Sequence, residues 1–265
     1  MLAKLLKYEW KATAPLLGTL SLAALGVGVL GGLLLRLSGI DYQSEVVESL
    51  FSATTSITLG FLALALVAYV LATTLLLLHR FYQNKFTDQG YLTFTLPVTS
   101  HQIFLSSLAN LLLWQLICVV VVLVSGLLLT LIGDLMPDNP YALEFFQEMA
   151  EDPFGRQSML LWLSQVLIGW LFYNVIALTC IVLGASIAKK HKLLMAFVMY
   201  YIISFVMRFL TGILTVVFAL SNLNIGDGIG FLHGTALSVL ALEFVLLLCG
   251  YFLSIRLMSR RLNLN

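Results

Sequence analysis

The sequence predicts an all-α integral membrane protein with six transmembrane helices and with both termini in the cytoplasm. Hydrophobic residues make up 60% of the 265 residues and charged residues only 10%. A soluble domain of this length could not bury so much apolar surface. The apolar residues also gather in six runs, each longer than the roughly 20 residues that cross a bilayer. The predicted spans of this single transmembrane domain (residues 1–265) are about 15–37, 54–78, 103–133, 158–188, 193–220 and 234–255.

The charges between these spans alternate in sign, which predicts the orientation. Basic residues cluster at the N-terminus, in every second polar segment and at the C-terminus: Lys4, Lys7, Lys11, Arg80, Lys85, Lys189, Lys190, Lys192, Arg256, Arg260 and Arg261. The intervening segments are acidic, and only Arg36 and Arg156 are basic there. Lys and Arg are enriched on the cytoplasmic side. Both termini and residues 79–102 are therefore expected inside, and residues 134–157 outside, in a multi-pass protein of the inner (cytoplasmic) membrane.

Residues 1–13 predict an amphipathic helix that lies at the inner membrane surface ahead of the first span. Its lysines share one side of a helical wheel and its large apolar residues the other: Lys4, Lys7 and Lys11 against Leu2, Leu5, Leu6 and Trp10. Glu9 projects among the apolar residues, where an unpaired carboxylate is costly. We expect it to meet a cation or another partner group. A simple anchor at the start of span one is the alternative.

Small and sulfur-containing residues inside the spans predict close packing. Ala24, Gly28 and Gly32 follow one another at four-residue spacing in span one, a pattern that lets two helices approach closely. The three cysteines, Cys118, Cys180 and Cys249, all lie inside apolar runs, so we interpret them as packing residues rather than as disulfide partners. In the external segment, Asn139 followed by Pro140 predicts the start of a short surface helix.

The polar segment 79–102 combines a helix stop with a new helix start. Pro97 prevents a helix from crossing it, and Thr99 with Gln102 resembles a capping box that opens span three. Leu92, Phe94 and Leu96 make the preceding stretch partly apolar. A compact, partly apolar loop on the water side is expected to dock on a partner, and packing on its own bundle is the alternative.

Arg208 and Glu243 lie within apolar runs, where a charge is costly and is usually paired or functional. At about 1.5 Å per residue, Arg208 stands roughly 24 Å and Glu243 roughly 19 Å above the inner side. The similar heights predict an intramembrane charge pair. An ion pair that fixes helix register is one interpretation, and a direct part in substrate passage is the other.

The sequence lacks several motifs of covalent chemistry. It contains no GxxxxGK[ST], no HExxH and no GxSxG. His79, His101, His191 and His233 lie at span ends in four separate segments. We therefore expect no catalytic site, metal or cofactor on this chain.

Two stretches resemble a known family. Residues 88–107, DQGYLTFTLPVTSHQIFLSS, resemble the loop of ABC-2 type permeases: an acidic residue, a Gly, an apolar stretch, Leu/Thr-Pro-Val-Ser/Thr and then a span. The opening LLKYEWK is similar to the basic-aromatic-Glu-basic start of such subunits. The resemblance implies that residues 79–102 couple the chain to a separate ATP-binding subunit, and that residues 1–13 form an interface helix beside it. The coupling residues would be Asp88, Gly90, Leu92, Leu96 and Pro97, and those of the interface helix Lys7, Glu9 and Trp10.

The resemblance also leaves an alternative for span five, because the family has re-entrant helices between spans five and six. Span five could end near Arg208, with residues 209–220, FLTGILTVVFAL, as a re-entrant half-helix. Arg208 would then lie near the outer rim, away from Glu243.

The resulting functional prediction is the permease subunit of an ABC exporter that moves a hydrophobic or amphipathic compound. ATP would be bound by a separate ATPase subunit, and a second permease subunit, like or unlike, would complete the path. The bilayer is the only other partner expected, and no nucleic acid. Lipids, peptides, antibiotics and ions all remain compatible substrates. The alternative is an ion- or proton-coupled secondary transporter that uses Arg208 and Glu243. An intramembrane enzyme is disfavoured because the sequence shows no group of residues that combines a nucleophile with a base.

Overall fold

The described residues of this chain form six long α-helices and no strand. Each helix contains a stretch long and apolar enough to cross a membrane, so the chain is a multi-pass membrane protein and the prediction of six spans is confirmed. The computed structural model describes residues 2–38, 45–87, 90, 98–133, 153–188, 191–222 and 228–260. The helices are α1 (Leu2–Ser38), α2 (Glu45–Phe86), α3 (Ser100–Ile132), α4 (Pro153–Ile187), α5 (Lys192–Asn222) and α6 (Gly228–Arg260).

All six helices extend beyond the limits of their predicted spans, and three of them bear on other predictions. α1 runs through Pro15 without a break, so residues 2–13 belong to the same helix as the first span. α2 continues to Phe86, about two turns past the predicted end of span two. α5 is continuous as far as Asn222, so residues 209–220 extend span five and do not form a separate re-entrant half-helix. The predicted surface helix at Asn139–Pro140 lies outside the described residues.

An arginine supports the turn of α1 that contains Pro15. Pro15 has no N–H to donate to the preceding turn, and its ring crowds the carbonyl groups there. Arg80 of α2 donates from Nη1 to the carbonyl oxygen of Ala12 over 2.9 Å. This hydrogen bond joins α2 to the turn of α1 that precedes Pro15.

The helices divide into two compact units, of which the first contains residues 1–80 and 105–139. Its core includes Ala24, Tyr69, Cys118 and Val121, which confirms Cys118 as a packing residue. A Cβ added at Gly28 would lie 2.8 Å from Cα of Ser125, and one at Gly32 would lie 2.6 Å from Cβ of Ile132. Ser125 also donates to the carbonyl oxygen of Ala24. The predicted stripe of small residues thus brings α1 against α3.

The second unit contains residues 81–104 and 140–265 and is built around α4. In α4, 56% of the most apolar stretch is buried, against 11% in α5 and in α6, so the other two helices pack on it. Phe172, Ile176 and Cys180 of α4 form its core with Met207 of α5. This unit contains the residues of the candidate site.

Candidate functional site

α4 and α6 lie side by side in the same direction and form a continuous seam. Gly169 faces Glu243, and Ile176 faces Gly250. Further along, Thr179 accepts a hydrogen bond from Ser254. Facing residues therefore advance together along both helices, as expected of parallel neighbours. Small residues on α6 make the close contact possible, since a Cβ at Gly250 would lie 3.2 Å from Cδ1 of Ile176.

Two hydroxyl groups form a hydrogen bond across the C-terminal part of this seam. Ser254 is fully buried, and its Oγ donates to Oγ1 of Thr179 over 2.9 Å. Thr179 in turn donates to the carbonyl oxygen of Val175, 2.7 Å away. Each buried hydroxyl group thus has a hydrogen-bond partner. This part of the seam is therefore a packing contact between the two helices.

Glu243 occupies the middle of the seam and has a different environment. Its side chain is only 8% exposed, and its Oε2 accepts no hydrogen bond from any described residue. A Cβ added at Gly169 would lie 3.5 Å from Oε2 and 3.9 Å from Oε1, at ordinary van der Waals contact, so α4 approaches the carboxyl group closely without crowding it. A buried carboxylate without donors is costly, which makes Glu243 the strongest functional candidate in the described part of the chain.

The structure does not bring Arg208 to Glu243. The Arg208 side chain is exposed, and no ion pair joins it to Glu243 among the described residues. The reason is the rotation of α5. Met207 is the residue that turns into the core, and the next residue in a helix projects about 100° away.

A recess opens in the same seam near the N-terminal ends of the two helices. Its volume is about 480 Å³, and most of its lining is apolar. It is lined by Gln157, Leu160, Leu161 and Ser164 of α4 and by Leu237 of α6. Leu237 precedes Glu243 by six residues, so the backbone of Glu243 lies about 9 Å further along α6, and Glu243 is not among the residues that line the recess.

Two local contacts are described within the predicted coupling loop. The amide of Gly90 donates to the carbonyl oxygen of Thr87 over 2.8 Å, and Gly90 is buried. At the other end, Thr99 and Gln102 exchange side-chain hydrogen bonds of 3.4 Å in both directions, so the predicted capping box is confirmed. The other predicted coupling residues, Asp88, Leu92, Leu96 and Pro97, lie outside the described residues.

Aromatic side chains attach the N-terminal end of this loop to α3 and its C-terminal end to α6. Phe81 at the end of α2 packs edge-on against Phe104 of α3, with ring centroids 6.5 Å apart. Phe104 packs in the same way against Tyr251 of α6 at 5.6 Å. Nδ1 of His101 lies 3.4 Å from the Tyr251 hydroxyl. Sequence reasoning missed Tyr251, because one tyrosine in an apolar helix gives no signal of what it faces.

Each predicted residue of the interface helix is placed on α1. Oε1 of Glu9 accepts a hydrogen bond from Oγ of Ser107 on α3 over 2.9 Å, which confirms that this carboxylate meets a partner group. Trp10 stacks on Trp114 with centroids 4.7 Å apart. Lys7 is exposed. The start of α1 is therefore held to α3 by its apolar face and presents its lysines outward.

The described residues contain no group of three His, Cys, Asp or Glu side chains that could hold a metal ion. The arrangement can bind and transmit motion, since it combines a buried acid, an adjacent recess and an aromatic contact between α6 and a polar loop. Comparisons with protein-family models, curated proteins and solved structures find no match to this chain.

Proposed function

We propose that this chain is the permease subunit of an ABC-2 type transporter that exports a hydrophobic or amphipathic compound. A separate ATPase subunit would supply the energy, and a second permease subunit would complete the path. The observation that carries the proposal is the contact between the C-terminal end of the predicted coupling loop and Tyr251 of α6, whose ring centroid lies 5.6 Å from that of Phe104 and whose hydroxyl lies 3.4 Å from Nδ1 of His101.

This contact supports a mechanical role for residues 79–102. Packed aromatic rings have little freedom to slide, and a helix moves as a stiff element. A displacement of the loop would therefore move α6 and, through Gly250 and Ser254, also α4. Closure of the ATPase pair on ATP would in this way change the access to a path through the membrane.

The start of α1 would lie beside the ATPase. Its contacts with α3, Glu9 to Ser107 and Trp10 on Trp114, give it a fixed orientation. Lys4, Lys7 and Lys11 remain exposed, where they can bind acidic groups of the ATPase or of lipid headgroups.

The test is co-purification of the full chain with a P-loop ATPase encoded beside it, followed by ATPase assays in lipid. We expect a stable complex whose ATP hydrolysis is stimulated by substrate. Tyr251→Ala should keep the complex but lose most of the stimulation. Phe252→Ala is the matched control, because Phe252 is 61% exposed and adjacent. Failure to form a complex, or equal stimulation in both variants, would contradict the proposal.

A second candidate function is ion- or proton-coupled secondary transport. It is favoured by the buried Glu243, whose Oε2 has no hydrogen bond within the described residues, because proton-relay carboxyl groups occur in such settings. Proteoliposomes that contain this chain alone separate the two functions. Uptake driven by an ion gradient without any ATPase would support the second candidate, and uptake only with ATPase and ATP would support the first.

A further inference from the structure

We propose that Glu243 and the recess lined by Gln157, Leu160, Leu161, Ser164 and Leu237 together form a binding site for an amphipathic organic cation. The cationic group would bind the carboxylate, and the apolar body would fill the recess. As a substrate site this inference rests on the proposed function, whereas the binding itself can be measured without an ATPase.

The carboxyl group of Glu243 indicates the charge of the ligand. It is 8% exposed, and Oε2 has no hydrogen-bond partner among the described residues. Arg208, the other charged residue within an apolar run, has an exposed side chain that is not paired with Glu243. A carboxylate in this position would be stabilised by a cation, and no described residue bonds its Oε2.

Gly169 lies directly opposite the carboxyl group. The position of a methyl group there would be 3.5 Å from Oε2 and 3.9 Å from Oε1, which is ordinary van der Waals contact. The space between residue 169 and the two oxygens therefore accepts a methyl group without a clash. A larger side chain at residue 169 would occupy that space.

The recess indicates the size and polarity of the ligand. The recess has a volume of about 480 Å³ and is open at the surface of the helices, so it would hold an apolar part of the ligand without enclosing it. Its walls carry three leucines, with Ser164 and Gln157 as polar positions. A metal ion would instead need several oxygen ligands, and the described residues contain no group of His, Cys, Asp or Glu that could supply them.

The site is mechanically connected to the predicted coupling loop. Glu243 and Tyr251 lie on the same helix, eight residues or about 12 Å apart. Tyr251 contacts Phe104 and His101 beside the loop. A displacement of α6 at Tyr251 therefore changes the position of Glu243 relative to Gly169.

The experiment measures binding of radiolabelled tetraphenylphosphonium to the purified full chain in lipid nanodiscs. Tetraphenylborate has a similar shape and the opposite charge, so it serves as the probe control. We expect saturable binding of the phosphonium only. Glu243→Gln should weaken it roughly tenfold to hundredfold, as for loss of one charged interaction. Arg208→Gln is the matched control and should leave it unchanged.

Two further variants test the geometry independently of Glu243. Gly169→Leu places a side chain before the carboxyl group, and Leu237→Trp fills the recess. Both should weaken phosphonium binding, while gel filtration and thermal unfolding report whether each variant is folded. Phosphonium binding that survives Glu243→Gln and Gly169→Leu, or equal binding of the borate, would overturn the inference.

The outcomes also separate this inference from the proposed function. Charge-selective binding that depends on Glu243 supports the site even if no ATPase co-purifies. A functional ATPase complex whose chain binds both probes alike, or neither, overturns the cation site and leaves the permease assignment standing.

Discussion

Oγ of Ser254 on α6 donates a hydrogen bond to Oγ1 of Thr179 on α4 over 2.9 Å, with both residues buried. This bond joins the two helices that carry the candidate site. Hydroxyl pairs between helices hold their register, because a donor left without a partner in an apolar interior is costly.

Ser254→Ala should therefore lower the stability of the second unit. Interhelical hydrogen bonds in membrane proteins contribute about 0.6 kcal/mol on average and up to about 1.7, so we expect a loss of that order in denaturant unfolding in detergent. Ser259→Ala is the control, because the exposed Ser259 donates only within its own helix, to Arg256. Equal losses in both variants would contradict the role of the interhelical bond.

Gly28→Val should destabilise the first unit. The added Cβ would lie 2.8 Å from Cα of Ser125, so α1 and α3 would have to separate. Overpacking of this kind typically costs about 1–3 kcal/mol. At Gly26 a Cβ meets nothing within 4 Å, which makes Gly26→Val the matched control. The two variants are compared by thermal unfolding, and indistinguishable midpoints would argue against the contact.

Glu243→Gln and Arg208→Gln should act independently on stability. Their side chains are not paired in the structure, so a double-mutant cycle in detergent unfolding should give a coupling energy below about 0.5 kcal/mol. Glu243→Gln alone should not lower stability, because it removes a buried charge. A double variant markedly more stable than the sum of the single effects would instead indicate the ion pair that the sequence predicts.

Gly90→Val and Leu96→Asp should leave membrane insertion intact, because neither residue lies in a span. If residues 79–102 couple the chain to an ATPase, both variants should reduce ATPase binding or substrate-stimulated hydrolysis towards the basal rate. Gly90 is buried beside Thr87, so a branched side chain there displaces its neighbours. Normal binding, hydrolysis and transport in both variants would leave the loop as a simple connection.

The predicted orientation can be tested by labelling single cysteines from each side of the membrane. Cys249 is exposed, whereas Cys118 and Cys180 are buried, so Cys249→Ala gives a suitable background. We expect labelling from outside at introduced positions in residues 134–157 and labelling only from inside at Lys190→Cys, because Lys and Arg favour the cytoplasmic side. External labelling at residue 190 would show that the predicted orientation is wrong.

The number of spans, the capping box and the stripe of small residues were all readable from the sequence. Each depends on local chemistry: apolar length for the spans, reciprocal side-chain bonds for Thr99 and Gln102, and four-residue spacing for Ala24, Gly28 and Gly32. These signals come from residues that are close together in the chain, so no tertiary information is needed to recognise them.

Only the tertiary structure decided which side chains face one another. Height along the helices predicted a pair between Arg208 and Glu243, but the rotation of α5 turns Met207 inward and Arg208 outward. Likewise, Tyr251 beside the loop and Gly169 before Glu243 follow from the register of α4, α6 and the loop. Helix rotation and register depend on the packing of distant residues, and hydrophobicity, which is high on all sides of these helices, does not specify them.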